Sequence, residues 1–296
     1  MNIKSWVIAS RPNTLIVSIA PVLLGLALFI NNNHYAKLNL LVGFLTLVAS
    51  ILIQLGTNFI NDLYDFLSGA DDENRLGPQR AVQSGLLSEQ QVRIGAYFCF
   101  GIALLIGIYL VYIGGLPILL IGSFALISGY CYTAGPYPLG YNGLGDIFVF
   151  IFFGLIAVPG TYYLQSGVLF DIDSIIIGSS IGFIAVAILC VNNIRDVDSD
   201  TRVGKKTLAV RFGFYSIIIM YDFMIILAYI CILALLIRPT FYFDLSLCLL
   251  FLSIPIAVKL MIDIHSKKKE DLNSVLMGTS NFMRIFFLLL ILGILL

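Results

Sequence analysis

The sequence is poor in charge and in the patterns that mark disulfide or zinc frameworks. Only 11% of its 296 residues are Asp, Glu, Lys or Arg, whereas 59% are hydrophobic. Soluble domains carry about 25% charged residues, so this composition excludes a soluble globular fold. The 17 acidic residues balance the 17 basic ones, which argues against a nucleic-acid-binding surface. The five cysteines show no Cys-x-x-Cys spacing, so neither a disulfide framework nor a zinc site is predicted.

Long apolar runs make up most of the chain. A bilayer core about 30 Å thick requires about 20 apolar residues in a helix, because lipid offers no partner to unpaired backbone groups. The first run lacks a small-residue cleavage site, so we expect it to remain as a span. Nine runs have the required length: 13–31, 39–61, 94–113, 116–133, 145–164, 174–193, 214–237, 241–262 and 277–296. The sequence therefore predicts an all-α, polytopic membrane protein with nine transmembrane helices.

The basic residues indicate how these runs cross the membrane. With a cytoplasmic N-terminus, all of the 17 lysines and arginines except Lys37 and Arg238 fall at or near the cytoplasmic side. The positive-inside rule requires such a bias, and losing one span from the count would destroy it. We therefore predict a multi-pass protein of the cell membrane whose N-terminus faces the cytoplasm.

Two of the runs end on the cytoplasmic side in acidic and amide side chains. Those on one face of the second run, at i, i+3, i+4 and i+7, are Asn58, Asn61, Asp62 and Asp65. Those on one face at the end of the sixth, spaced by four, are Asn192, Asp196 and Asp200. Solvated helix ends are the alternative, but acids at a helix C-terminus oppose the macrodipole and repel one another. Two matched clusters therefore indicate a bound cation.

An Asn-x-x-x-Asp pair occurs in both clusters, each time at the end of the second helix in a group of four. This position indicates an internal duplication, with one half at about 1–133 and the other at about 145–262. The ninth helix, 277–296, follows the second half. We expect residues 1–296 to form a single transmembrane domain.

Cations follow each acidic cluster along the chain. Arg75 and Arg80 follow the first cluster, and Lys205 and Lys206 follow the second. Topology explains their side of the membrane but not their proximity to the acids. Mg²⁺ binds one or two carboxylates together with substrate phosphates, and Arg and Lys bind phosphate oxygens. The clusters therefore predict a metal and diphosphate site at the mouth of a bundle that holds a lipid tail. We expect this site to face the cytoplasm.

These residues resemble the UbiA superfamily of intramembrane aromatic prenyltransferases. The resemblance is carried by ASRPNTLIVSIAPVLLG, NDLYDFLSGAD, YCYTAGPYPLGYNGLGDIFVFIFFG and NNIRDVDSDTRVGKKTLAVRFG. Within the superfamily, RLGPQRAVQSG, GPYPLGY and NNIRD are most similar to the branch of 1,4-dihydroxy-2-naphthoate polyprenyltransferases, which act in menaquinone biosynthesis.

The resemblance implies nine helices around a central cavity, two Mg²⁺ ions and a polyprenyl diphosphate donor. It also implies that a naphthoate ring is prenylated and loses its carboxylate, giving demethylmenaquinone, diphosphate and CO₂. A UbiA-type enzyme with another aromatic acceptor, such as 4-hydroxybenzoate, is the alternative within the superfamily. A divalent-cation transporter is the alternative outside it, because acids in membrane helices often mark ion paths.

The candidate site residues include expected metal ligands and expected diphosphate-binding residues. The expected Mg²⁺ ligands, of which Asp65 and Asp196 are also assigned to catalysis, are Asn61, Asp65, Asn192, Asp196 and Asp200. Asp62 is a secondary candidate because it falls outside the Asn-x-x-x-Asp spacing, and participation of Asp71 and Asp72 is left open. The residues expected to bind the diphosphate are Arg75, Arg80, Lys205 and Lys206.

A group of tyrosines is expected to face the allylic cation with electron-rich rings. The group consists of Tyr130, Tyr132, Tyr137 and Tyr141. Tyr132 is the first candidate for a catalytic role because it precedes the GPYP turn at a helix end, although anchoring at the membrane interface explains any one of them equally well. The residues assigned to the aromatic acceptor are Asn58, Tyr137 and Asp146.

Overall fold

The computed structural model describes residues 3–33, 37–73, 75–241 and 245–296. Within these ranges the secondary structure is helical and contains no strand. Seven of the described helices are long and apolar enough to cross a membrane. The prediction of an all-α, multi-pass membrane protein is confirmed.

Two features of these helices bring the described spans to nine. The first span is broken: helices Ile3–Ser10 and Ile16–Asn33 belong to segments that meet at an angle of 56°. Arg11 lies at the break in a left-handed conformation with a φ of 51°. Glu89–Cys131 contains the third and fourth spans, because its backbone leaves helical geometry at Gly115, where φ is 65° and ψ is −151°.

The chain reverses its direction at Gly115. A straight helix of 43 residues would be about 65 Å long, about twice the thickness of a bilayer core. The ring of Phe100, in the first arm, lies within 4 Å of where a Cβ would stand at both Gly56 and Gly129, and Gly129 is in the second arm. The two arms therefore lie side by side, which agrees with the predicted spans 94–113 and 116–133.

The other spans follow the predicted runs with shifted boundaries. The fifth contains a π-helical turn at Phe150–Ile156, and the eighth begins as a 3₁₀ helix, Leu245–Ser253; residues 242–244 of the predicted eighth run lie outside the described residues. The second span is Leu40–Leu67. The fifth to ninth spans are, in order, Gly145–Ser166, Ile172–Arg195, Phe214–Leu236, Leu245–Ser266 and Leu272–Leu295. The second span extends beyond the predicted residue 61, so its last acids lie on helix. The internal duplication stays a prediction.

Close contact between the fifth and sixth spans places the sixth at the centre of the bundle. Gly154 faces Gly178 and Gly182, and a Cβ at Gly182 would stand 2.5 Å from the Cα of Gly154. Small residues drive packing in membranes because they let two helix backbones approach. The sixth span also packs against the first, seventh and ninth spans, and 72% of its most apolar stretch is buried, compared with 17% in Glu89–Cys131. Arg195 at its end and Asp200 just beyond it are buried as well.

Candidate functional site

A cavity of about 870 Å³ runs through the bundle. Most of its wall is apolar, with side chains such as Leu126, Phe152 and Leu164. At one end the wall is polar and is formed by the ends of the second and sixth spans and the loops that follow them. The polar side chains there include Asn61, Asp65, Arg75, Arg80, Tyr132, Tyr141, Asn192, Asp196, Asp200 and Lys205. Both acidic helix ends therefore face the same space.

Lys205 joins the two acidic clusters. Its Nζ lies 2.8 Å from Oδ1 of Asp65 and 3.6 Å from Oδ1 of Asp200. Tyr141 donates its hydroxyl to the same oxygen of Asp65 at 2.8 Å, and the ammonium of Lys205 lies 4.4 Å from the centre of the Tyr141 ring. Residues that are 140 positions apart thus share one ion-pair network.

Burial and neighbouring charges shift the pKa values of two groups in this network upward. Burial raises the pKa of the Asp200 carboxyl to about 6; Lys205 acts against this shift, and Asp196 adds to it. Burial lowers the pKa of the Lys205 ammonium, but Asp65 and Asp200 outweigh burial, so that pKa is raised. A further cation would relieve the repulsion among the carboxylates, which is the condition for a metal site.

Arg195 binds the carboxylate of Asp196 in the second acidic cluster. It is 3% exposed, and its Nε and Nη2 donate to the two oxygens of Asp196 at 2.7 and 2.6 Å. Its Nη1 donates to Oδ1 of Asn273 at 3.0 Å, and Nδ2 of Asn273 donates to the carbonyl of Leu76 at 2.7 Å. These bonds connect the sixth span to the start of the ninth and to the loop after the second.

That loop carries two arginines into the cavity wall. Nη2 of Arg80 donates to Oδ1 of Asn61 at 3.4 Å, and both Arg75 and Arg80 pair with the buried Asp71. Gly77 lets the loop pass over Arg195, since a Cβ there would stand 2.8 Å from its Nη2. Together with Arg11, Arg195 and Lys205, these arginines bring the cationic side chains of the cavity wall to five among the described residues.

Asp62 shares the helix face of Asp65 but does not line the cavity. Its side chain is turned toward the loop, where its two oxygens accept the backbone N–H groups of Ala81 and Val82 at 3.0 and 3.2 Å. The carboxylate is buried, and each of its oxygens accepts one of these bonds. The geometry thus gives Asp62 a part in the folding of the loop, and its role as a secondary metal ligand stays a prediction.

Three other candidates lie outside the cavity wall. The side chain of Lys206 is exposed, and its backbone N–H donates to the carbonyl of Tyr141. Tyr137 is 60% exposed. Asp146 is buried beside Tyr132, since a Cβ on the preceding Gly145 would stand 2.8 Å from the Tyr132 hydroxyl. None of the three side chains lines the cavity, and their roles in substrate binding stay predictions.

Asn58 and Tyr132 do line the cavity. The amide of Asn58 is already engaged, because Nδ2 donates to the carbonyl of Ser10 at 2.9 Å and Oδ1 accepts from Gln54 at 3.2 Å. It therefore anchors the broken first span to the second. Tyr130, in contrast, pairs with Tyr64 at 3.2 Å and is absent from the wall.

The cavity wall includes three residues that the sequence pattern underrated. The pattern assigned Arg11 and Arg195 only to membrane topology, and it placed Tyr132 ahead of Tyr141 as a catalytic candidate. Arg11 lies in the cavity wall at the break of the first span, and its buried Nε has no hydrogen-bond partner among the described residues. An arginine beside an apolar run was the available signal. The contact between Arg195 and Asp196 was indicated in the sequence only by the fact that the two residues are adjacent.

The polar end offers oxygen donors without forming a closed metal site. Across the described part of the chain, no three His, Cys, Asp or Glu side chains are grouped to hold an ion. The available donors are the carboxylates of Asp65, Asp196 and Asp200 and the amides of Asn61 and Asn192. Mg²⁺ commonly takes few protein ligands and completes its shell with phosphate and water. The donor set therefore fits an ion that a phosphorylated ligand helps to bind.

Comparison with known proteins gives relatives over the whole chain. The sequence profile of the UbiA prenyltransferase family matches residues 18–294. The chain is 35% identical to a 1,4-dihydroxy-2-naphthoate octaprenyltransferase of Haemophilus influenzae, over 99% of this chain and 96% of that protein. It is 34% identical to a protein of the same name from Bacillus subtilis, over 77% of this chain and 72% of that one.

Solved structures share the fold. A UbiA homolog from Archaeoglobus fulgidus, bound to DMAPP and Mg²⁺, superposes with a TM-score of 0.65 over 97% of this chain and 99% of that one, at 17% identity. The same homolog bound to GPP and Mg²⁺ gives a TM-score of 0.64 at 18% identity. At such low identity the likeness shows the arrangement of helices alone.

Proposed function

The chain belongs to the UbiA prenyltransferase family, and we propose that it transfers a polyprenyl group from a polyprenyl diphosphate to 1,4-dihydroxy-2-naphthoate. A bond forms between the allylic carbon of the donor and the acceptor ring, while the C–O bond to the diphosphate breaks. The ring also loses its carboxylate as CO₂, which gives demethylmenaquinone in its quinol form. The names of the curated relatives support this acceptor.

One observation carries the proposal: two acidic helix ends and five cationic side chains meet at one end of an apolar cavity. The apolar part suits a polyprenyl chain, and the charged end suits a diphosphate together with metal ions. A transporter would instead need acids near the midplane, and the acids of this cavity gather at one end.

Mg²⁺ would be held by Asp65, Asp196 and Asp200 together with the amides of Asn61 and Asn192. Bound there, it would act as a Lewis acid that stabilises the charge developing on the leaving diphosphate. Without a cation, three carboxylates would repel a diphosphate by about 4 kcal/mol per close charge pair at an effective dielectric constant near 20. Lys205 and Arg195 offset part of this charge, and Mg²⁺ would add positive charge next to the donor.

The cationic side chains bind the remaining diphosphate oxygens. Arg75 and Arg80 approach from the loop after the second span, and Lys205 approaches from the loop after the sixth. Planar guanidinium groups match phosphate geometry, whereas the ammonium acts as a compact point charge. When the donor binds, the ammonium of Lys205 contacts a diphosphate oxygen and weakens its ion pair with Asp65. Tyr141 keeps its hydrogen bond to Asp65.

The cavity wall protects the allylic cation that remains when diphosphate leaves. Its apolar side chains exclude water, which would otherwise capture the cation. The rings of Tyr132 and Tyr141 border the polar end, where they can stabilise positive charge through their π faces. We place the protein in the cell membrane with this end toward the cytoplasm, as the distribution of basic residues indicates.

Asn273 supports the site from the ninth span. Its replacement by alanine is expected to raise the KM for the donor about three- to tenfold, because one or two hydrogen bonds are lost. The change removes the bonds that join Arg195 to the carbonyl of Leu76. The measurement is steady-state kinetics at saturating acceptor. Ser274→Ala, on the neighbouring exposed side chain, is the control, and equal effects of the two variants would contradict the assignment.

The reaction is tested with the purified protein, Mg²⁺ and a polyprenyl diphosphate. One sample receives 1,4-dihydroxy-2-naphthoate and the other receives 4-hydroxybenzoate, and mass spectrometry identifies the products. We expect a prenylated, decarboxylated product and release of CO₂ from the first sample only. Product from hydroxybenzoate alone would replace the acceptor, and Mg²⁺ flux into vesicles without product would replace the function.

A further inference from the structure

Asp71 is a buried acid that the reaction described above does not use. It lies in the loop directly after the second span, and its side chain is 1% exposed. Its backbone N–H donates to the carbonyl of Asp65 at 3.1 Å, which fixes it to the end of the helix. Although it follows the first acidic cluster closely in the sequence, it does not line the cavity.

Both oxygens of Asp71 are engaged by arginines. Oδ1 pairs with Nη1 of Arg75, and Oδ2 accepts a hydrogen bond from Nε of Arg80 at 3.0 Å. The same arginines line the cavity, so the carboxylate stands behind them as seen from the substrate space. A metal ion in the cavity would meet the guanidinium groups before it met this acid.

Each guanidinium group has a second support that sets its direction. Nε of Arg75 donates to the carbonyl of Pro78 at 3.2 Å, and Nη2 of Arg80 donates to Oδ1 of Asn61 at 3.4 Å. Arginine side chains have many rotamers, and ordering them costs about 1.5–2 kcal/mol each. Bonds that order them before the substrate arrives remove this cost from binding.

Two guanidinium groups held this close repel each other, which opposes their shared position. Burial and the neighbouring Arg80 lower the pKa of Arg75, and Asp71 acts in the opposite direction. One carboxylate between two guanidinium groups leaves a net positive pair. The pair thus stays ordered in the absence of substrate and still attracts an anion.

We propose that Asp71 is a positioning residue that presents Arg75 and Arg80 to the diphosphate of the donor and does not bind the metal. The inference deepens the proposed function, because it concerns the anion-binding half of the same site. It assigns the acids around the second helix end to three tasks: Asp65 faces the cavity, Asp62 holds the loop, and Asp71 orders the arginines.

The test separates anion binding from metal binding. Wild-type protein, Asp71→Asn and Asp71→Glu are purified, and the affinity for a non-reactive geranyl thiodiphosphate is measured by calorimetry across a Mg²⁺ series. We expect Asp71→Asn to weaken analogue binding about tenfold, as for a lost charged hydrogen bond, with the Mg²⁺ concentration at half-saturation changed less than twofold. Asp71→Glu keeps the charge and is expected to recover part of the affinity.

Two comparisons keep the proposal falsifiable. In an Arg75→Ala, Arg80→Ala background, Asp71→Asn should add little, because no arginine remains to be positioned. Asp72→Asn is the matched control, since Asp72 is the next residue and its half-exposed side chain lies 3.4 Å from Arg202, outside the cavity. Thermal unfolding of each variant identifies loss of fold.

A large rise in the Mg²⁺ requirement of Asp71→Asn, or a full additive loss in the double-arginine background, would overturn the proposal. If Asp71→Asn does not fold, the comparison rests on Asp71→Glu. Weakened analogue binding with an unchanged Mg²⁺ requirement would then support the proposal, and a raised Mg²⁺ requirement would contradict it. Failure of the proposed function is recognised separately. Wild-type protein would then bind the analogue but would form no prenylated product from the reactive polyprenyl diphosphate.

Discussion

Asp65→Asn is expected to lower kcat by about 10³-fold, the scale seen when a group that stabilises transition-state charge is removed. Asp65 is the carboxylate on which Lys205 and Tyr141 converge, each at 2.8 Å, and it faces the cavity. The amide keeps the size and the hydrogen-bond acceptor but loses the charge that, on the proposed function, would hold Mg²⁺. The loss should therefore appear in kcat as well as in the Mg²⁺ requirement, measured by steady-state kinetics at several Mg²⁺ concentrations.

The control for this change is Asp198→Asn. Asp198 lies in the second acidic segment, but its side chain is exposed and is not part of the cavity wall. It should retain activity within about twofold, as is usual for surface substitutions. An Asp65→Asn variant that is folded and active at near the wild-type rate would exclude Asp65 as a metal ligand.

Lys205→Met is expected to lower kcat/KM for the prenyl diphosphate by about 10²-fold, equivalent to loss of a charge-assisted hydrogen bond worth about 2–3 kcal/mol. Methionine keeps most of the length of the unbranched side chain and removes its charge. Asp65 and Asp200 are then left without their shared cation, so repulsion of the diphosphate increases. The effect should fall mainly on the KM for the donor, with a smaller change in the KM for the acceptor.

Lys206→Met provides the matched control, because it is the same substitution one residue further along. The side chain of Lys206 is exposed, and only its backbone takes part in the contact with Tyr141. We expect kinetics within about twofold of the wild type, the range of an ordinary surface change. Similar losses in both variants would show that general positive charge, rather than the position of Lys205, binds the donor.

The spans were predictable because bilayer thickness fixes their length. The reversal at Gly115 also agreed with two separate predicted runs, because helix continues up to this residue on both sides without an intervening loop. The end of the second span was placed too early, because Asn61, Asp62 and Asp65 lowered its hydropathy. In the fold these polar side chains meet a cavity and a loop, so the helix continues to Leu67.

The site was harder to predict, because contacts with segments far away in the sequence decide which side chains face the cavity. Asp62 and Asp65 share one helix face, and only the return of the loop at Ala81 and Val82 separates their tasks. Lys205 and Lys206 are adjacent, and the turn of the chain sends one side chain inward. Asn273 meets Leu76 across 197 positions, a contact that helical periodicity does not encode.

The central claim is that the two acidic helix ends hold Mg²⁺ together against one diphosphate. Its most direct test is calorimetric binding of geranyl thiodiphosphate to wild-type protein, Asp65→Asn and Asp196→Asn, with Mg²⁺ and with EDTA. We predict tight binding only for the wild type with Mg²⁺, and a comparable loss in each variant. Binding that survives EDTA, or that depends on one helix end and is indifferent to the other, would contradict the account.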